Sequence, residues 1–185
     1  MRLPPVRVPL SKGASSRQFA TRTLVAITAL ACLLPIRTVS AELTATEKRE
    51  LVNQHNVWRS KYHAPPLVWD DTVAHYAQQW ADTLARSGAL AHRPDNKYGE
   101  NLWRGSVGSF PMTAVVDDWG NEGNNYDLHT QTCAMGHGCG HFTQVVWKTT
   151  TKLGCGKATG TDGNAYVVCD YDPAGNMEGQ TPLGP

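Results

Sequence analysis

Two apolar, β-branched runs near the C-terminus each carry a cysteine: Lys152–Ala158 with Cys155, and Ala165–Tyr171 with Cys169. Thr-Gly-Thr-Asp-Gly-Asn joins them, a turn composition between strand-like segments. Folded as a hairpin, the runs set the two cysteines opposite each other. Just before them lies Cys139-Gly-His-Phe-Thr-Gln-Val-Val-Trp147, in which a polar His141 stands at the mouth of an apolar, aromatic run. This end of the chain is therefore committed to a packed core with a titratable group at its edge.

The opposite end reads differently. Arg2, Arg7, Lys12, Arg17 and Arg22 form a basic leader without an acidic residue, followed by an apolar run from Leu24 to Leu34 and the small residues Val39-Ser40-Ala41. That order is a secretory signal over residues 1–41. A membrane anchor would need about 20 apolar residues, and Pro35 ends this run too early, so no stable membrane span is expected. Cys32 is followed by Leu-Leu-Pro-Ile, which continues the apolar run instead of opening a polar linker, so a lipid-modified terminus is the weaker reading. From residue 42 onward the chain has 11 basic against 16 acidic residues, a net charge of −5. Such a chain is a poor fit to nucleic acid, whose binding rests on phosphate neutralisation by Lys and Arg. Residues 42–185 suit one domain with one core.

Four cysteines follow the leader: Cys133, Cys139, Cys155 and Cys169. An even count in an exported chain indicates disulfides, with three possible connectivities. The hairpin favours Cys155–Cys169 and leaves Cys133–Cys139 to close a small loop. A zinc site built from these thiols is disfavoured, because no CxxC pair is present.

Helical signals fill the first half. Thr44-Ala-Thr-Glu47 is a capping box opening a helix from about Ala45 to Tyr62, with Leu51, Val52, His55 and Trp58 at helical spacing and Pro65-Pro66 beyond its end. Asp70-Asp71 cap a second helix, whose stripe of Val73, Ala77, Trp80, Ala81 and Leu84 stops at Gly88. Trp80 on that stripe is read as core. Tyr98–Trp103 is a short strand in an otherwise loop-like stretch. A third helix starts around Ser109-Phe-Pro111 and runs to about Asn121, carrying Ala114, Val115 and Trp119. Residues 123–138 are irregular, and His141–Trp147 is a short helix. Helices followed by a small antiparallel sheet indicate the α+β class. His137 and His141 have the spacing of a helical zinc pair, yet Gly136, Gly138 and Gly140 argue against a helix there.

Gly140–Trp147 resembles the first signature of the CAP superfamily: cysteine-rich secretory proteins, antigen-five allergens and pathogenesis-related proteins, which share the SCP domain. Tyr166–Met177 resembles the second signature, with Asp170 where Asn or another of a few polar residues is usual. Tyr98-Gly-Glu-Asn-Leu102 and the early His55, Asn56 and Arg59 also fit, so the resemblance spans residues 45–178 in the family's order. It implies an α–β–α sandwich with the sheet between helical layers. It further implies a cleft lined by His92, Glu100, Glu122 and His141. Two imidazoles and two carboxylates can hold zinc or another divalent cation, or form a network in which each carboxylate fixes an imidazole tautomer.

Three function classes follow from the resemblance. Relatives that bind sterols use a mobile loop before the first signature; here that is residues 124–138, with Tyr126, Leu128 and Met135. Others act through protein partners in defence, virulence or extracellular interaction. The implied role is a secreted monomer, extracellular or periplasmic, that binds a sterol-like lipid or a protein, with metal as an additional ligand. Release of a signalling peptide from the tail is not expected, because Asp170 and Leu183 replace the Asn and Tyr of that pattern. The alternative is a metal-dependent, protease-like hydrolase using the same cleft, with three ligands and the remaining Glu as base. A serine hydrolase is excluded in practice: Ser60, Ser87, Ser106 and Ser109 lie in no GxSxG context. No catalytic residue is assigned.

Overall fold

The computed structural model describes residues 42–108 and 110–184. The leader at 1–41 and Ser109 lie outside the described residues. Helix α1 (Ala45–Lys61) opens with the capping box: the Thr44 hydroxyl accepts from Glu47 N, and Glu47 Oε2 accepts from Thr44 N at 2.8 Å. Its buried stripe is Leu51, His55 and Arg59, so two of three core positions are polar. After the two-residue strand β1 (Val68–Trp69), helix α2 (Asp71–Ser87) begins at Asp70, whose Oδ1 accepts from Thr72 N and Val73 N at 2.9 and 3.0 Å. Gly88 ends α2 in the left-handed conformation (φ 69°), donating to Leu84 O.

Strand β2 (Gly99–Ser106) is longer than the expected Tyr98–Trp103 segment, because it pairs along its whole length with the last strand. Helix α3 (Met112–Asn121) follows Pro111 and runs into a 3-10 turn at Glu122–Asn125. The stretch expected to be irregular holds a small hairpin, β3 (Tyr126–Asp127) against β4 (Thr132–Cys133). The short helix α4 (Gly140–Val145) precedes β5 (Lys152–Thr159) and β6 (Asn164–Asp172).

The main sheet has the order β1-β5-β6-β2. It is antiparallel except for β1, which lies parallel to β5. Alternation along β6 divides two cores. Tyr166 and Val168 join Ala77, Ala81 and Leu84 of α2 on one side. Val167, Cys169 and Tyr171 join Leu51, Val115, Trp119, Phe142 and Val145 on the other. The result is an α–β–α sandwich, α2 on one face and α1, α3 and α4 on the other. Gly154 and Gly156 let α2 lie directly on β5: a Cβ at either would overlap the backbone of Ala74 or Gln78.

Both disulfides have the sequential pairing. Cys155 and Cys169 are register partners on β5 and β6, and Cys133–Cys139 closes a loop of six-residue separation. With Cys155 and Cys169 both buried, the double substitution Cys155→Ser/Cys169→Ser should lower unfolding free energy by about 3 kcal/mol on the loop-entropy account. A urea denaturation midpoint that does not move would refute it. Among the described residues, no helix is long and apolar enough to cross a membrane.

Candidate functional site

The four His and Glu residues come together as two pairs. His92, in the loop between α2 and β2, bonds through Nδ1 to Glu100 Oε1 at 2.7 Å, and Arg93 N donates to the same oxygen at 3.0 Å. The imidazole is two-thirds exposed (66%), whereas the Glu100 side chain is 3% exposed. His141, at the start of α4, bonds through Nδ1 to Glu122 Oε1 at 2.6 Å. Glu122 Oε2 also accepts from the His141 and Phe142 amides at 2.9 and 3.2 Å. A single carboxylate therefore caps α4, which has no side-chain cap of its own at Cys139, and orients its first imidazole.

A carboxylate only accepts, so each Nδ1 carries a proton, and in the neutral imidazole Nε2 is then the nitrogen with the lone pair. This is the arrangement in which a carboxylate sets the tautomer of a ligand or base. Among the described residues neither Nε2 is engaged, and no group of three or more His, Cys, Asp or Glu is drawn together to hold a metal ion. Replacing Glu122 by Ala should destabilise the protein by about 1–2 kcal/mol through the lost cap and release His141. Loss of the hydrogen-bonded His141 Nδ1–H proton from the low-field NMR spectrum checks the second part. A retained signal would show that Glu122 does not hold the ring.

The pairs stand on either side of β2. Glu100 points to the α2 side of the sheet, with its register partner Asp170. Asn101, the next residue, points to the opposite side and donates through Nδ2 to His141 O and to the Tyr171 hydroxyl, each at 3.1 Å. Tyr171 in turn bonds His55 Nε2 at 2.8 Å, and His55 Nδ1 meets Leu51 O at 2.7 Å. Since Leu51 O only accepts, His55 is protonated on Nδ1 and takes the Tyr171 proton on Nε2. Burial, assisted by the Arg59 charge, pushes the His55 pKa down to about 4, and burial raises that of Tyr171. His55, Tyr171 and Asn101 thus form a neutral buried chain ending on the backbone of His141.

The Glu100 side carries a charge problem. Glu100 Oε2 and Asp170 Oδ2 are both enclosed without a hydrogen-bond partner. Burial and then the Glu100 charge push the Asp170 pKa up to about 8, against Asn96 and Arg93, which lower it. At neutral pH Asp170 therefore carries a proton. Arg93 covers this half from outside, donating to Tyr76 O and stacking its guanidinium 3.5 Å from the Tyr76 ring centre.

Asn101, His55 and Asp170 stand in the sequence motifs, but the motifs alone assign them no role. The signal was there: polar residues inside strand and helix stripes need partners when buried. Their partners, however, lie on other elements. Of the three loop residues, Tyr126 packs on Phe142 (ring centres 5.6 Å apart) and donates to Gln131 O, so it belongs largely to the fold. Leu128 and Met135 are 50% and 99% exposed. Trp80 packs at the margin of the α2 core and donates to Ala91 O.

The domain is thus an α–β–α sandwich bearing two carboxylate-oriented imidazoles at the edge strand of a disulfide-stapled sheet. Residues 52–171 match the family model described as "Cysteine-rich secretory protein family" (CAP). The chain is 38% identical over 154 residues to "Pathogenesis-related protein PR-1 type" of Sambucus nigra, covering 83% of this chain and 92% of that one. It is 41% identical over 137 residues to "Secreted protein RBT4" of Candida albicans, 72% of this chain and 37% of the other. Among solved structures, "Crystal structure of NaASP2 with Zn2+" superposes with a TM-score of 0.60 at 24% identity, over 77% of this chain and 86% of that one, a likeness of fold. The chain belongs to the CAP family of cysteine-rich secretory proteins.

Proposed function

We propose that the protein is exported by its 1–41 leader and that residues 42–185 act outside the cell as a monomeric binding protein in defence or virulence. The relatives named for pathogenesis and secretion support this reading, as do two disulfides, which persist in oxidising compartments. The observation that carries a binding role is the pair of carboxylate-locked imidazoles, each with Nε2 available. A zinc ion or similar divalent cation would be held by His92 and His141 through Nε2, with Glu100 and Glu122 setting their tautomers; the donor chemistry fits such an ion. Bound there, it would supply a positive charge for a polar ligand group. A sterol-like lipid, or an apolar patch of a protein partner, would meet Leu128 and Met135, the exposed apolar residues of the 124–138 loop.

Native mass spectrometry of the secreted protein, with and without chelator, tests both ligands together. Zinc affinity should fall about 10–100-fold in Glu100→Gln and Glu122→Gln, the usual cost of losing a tautomer-setting partner. Cholesterol binding should weaken in Leu128→Ser/Met135→Ser. Zinc binding unchanged by both Glu substitutions would end the metal reading, and sterol binding indifferent to the loop substitutions would end the loop assignment.

A further inference from the structure

The two disulfides sit in opposite surroundings. Cys155 and Cys169 are 3% and 0% exposed and face each other across β5 and β6, with the register pairs Gly154–Asp170 and Gly156–Val168 on either side. Burial keeps a reductant away from them. The sheet would also hold the two thiols opposite each other after reduction, so the bond would re-form. Cys133–Cys139 has neither protection. Cys133 is partly exposed at the end of the two-residue strand β4, and Ala134, Met135, Gly136, His137 and Gly138 are all exposed. The main-chain bonds of this segment run from Ala134 N to Asn125 O and from His137 N to Ala134 O, at 2.7 and 3.1 Å, so both stay on the hairpin side. The bridge ties that side to Cys139, the residue that precedes α4.

The reduced state has its partners in place. Cys133 Sγ lies 3.4 Å from His137 O, and Cys139 Sγ lies 3.7 Å from Glu122 O. A disulfide has no hydrogen to give these carbonyls, whereas two thiols would each donate one weak hydrogen bond. The start of α4 does not hang on the bridge, since Glu122 Oε2 accepts from the His141 and Phe142 amides.

We propose that Cys133–Cys139 is a redox latch: an external dithiol opens it and frees residues 134–138 from α4, while Cys155–Cys169 and the Glu122–His141 pair stay intact. A thiolate of the dithiol attacks the accessible Cys133 Sγ and breaks the S–S bond, and Cys139 leaves as a thiolate that takes up a proton. The second thiol of the reductant, deprotonated, then displaces Cys133 Sγ. That step closes the reductant's own disulfide and leaves a second protein thiol. Two electrons and two protons pass to the protein. The freed segment carries Met135, 99% exposed, so the latch acts on the apolar loop. Its chemistry is independent of what that loop binds.

The test treats the folded, secreted protein with increasing dithiothreitol, traps thiols with N-ethylmaleimide and maps the labelled cysteines by mass spectrometry. Cys133 and Cys139 should label at dithiothreitol concentrations at least about tenfold below those needed for Cys155 and Cys169, as an exposed bridge should against an enclosed one. In the singly reduced protein, NMR order parameters of residues 134–138 should fall below about 0.6, with those of His141 and Phe142 unchanged. Cys133→Ser/Cys139→Ser should reproduce that pattern without reductant, and thermal melts establish that this variant is folded. Labelling of all four cysteines together would overturn the proposal, as would a Cys133–Cys139 bridge that resists reduction until the protein unfolds. So would unchanged order parameters at 134–138. A fall at His141 and Phe142 as well would overturn it too, by making the bridge part of the frame of the Glu122–His141 pair.

Discussion

Arg59→Met should unfold at far lower urea than the native protein, with a loss of about 3–5 kcal/mol, since several buried carbonyls lose their donor at about 1–3 kcal/mol each. Arg59 is fully buried, and its guanidinium ends on four main-chain carbonyls. Nε donates to Pro65 O at 2.6 Å; Nη1 donates to Val145 O and Trp147 O, and Nη2 to Thr150 O, each at 2.9 Å. These carbonyls belong to the end of α4 and the chain after it, and to the turn after α1. A short helix cannot satisfy its own last carbonyls, so an arginine from another element does it. Burial lowers the guanidinium pKa to about 10, which still leaves it charged at physiological pH. Methionine fills similar volume and donates nothing. Arg59→Lys should recover part of the loss, because one ammonium cannot reproduce the planar fork. Hydrogen exchange should show the Val146–Thr150 amides losing protection in both variants. A loss below about 1 kcal/mol, the worth of one ordinary hydrogen bond, would mean that the carbonyls find other donors.

Asp170→Asn should stabilise the protein, and more so at pH 8 than at pH 6.5. In the folded state the Asp170 pKa is raised from 3.8 to about 8. Between those values the native state holds a proton that the unfolded chain has released, so stability falls as pH rises. His55 works in the opposite sense: its pKa is lowered from 6.5 to about 4, so its contribution is lost as pH falls through that window. The two effects oppose each other below pH 6.5. Above it Asp170 acts without His55, at up to about 1.4 kcal/mol per pH unit for one proton. Wild type should therefore lose about 1.5–2 kcal/mol between pH 6.5 and 8 by that slope, and Asp170→Asn should flatten this decline. The amide can also donate to Glu100 Oε2, the oxygen left without a partner. Parallel pH profiles for the two proteins would show that the carboxyl is ionised in the fold.

Asp170 also shows the limit of reading motifs. That Asp170 stands where Asn or another of a few polar residues is usual was visible in the sequence, but its meaning depended on register. Only the alignment of β2 with β6 sets it opposite Glu100. Likewise, the hairpin composition predicted that Cys155 and Cys169 would face each other, since strands joined by a short turn have local register. The parallel pairing of β1 with β5 had no such signal. Val68 and Trp69 form a strand because β5 is there to receive them, far along the chain.

The cleft residues divide along the same line. His92 and Glu100 are eight apart, and Glu122 and His141 nineteen apart, so each pair is joined by a short excursion of chain. That the four arrive as two pairs flanking the edge strand follows from side-chain alternation along β2, which sends Glu100 and Asn101 to opposite faces. By itself the sequence determined the helices, their caps, the strand hairpin, the disulfides and the family. These rest on interactions within a few residues, or on motifs conveyed whole. Tertiary structure alone decided the partners of the buried polar groups: Arg59 to carbonyls as many as 91 residues away, Asp170 beside Glu100, and His55 through Tyr171 and Asn101 to His141. A buried polar group must find a partner wherever the fold supplies one, and no local pattern encodes which one that is.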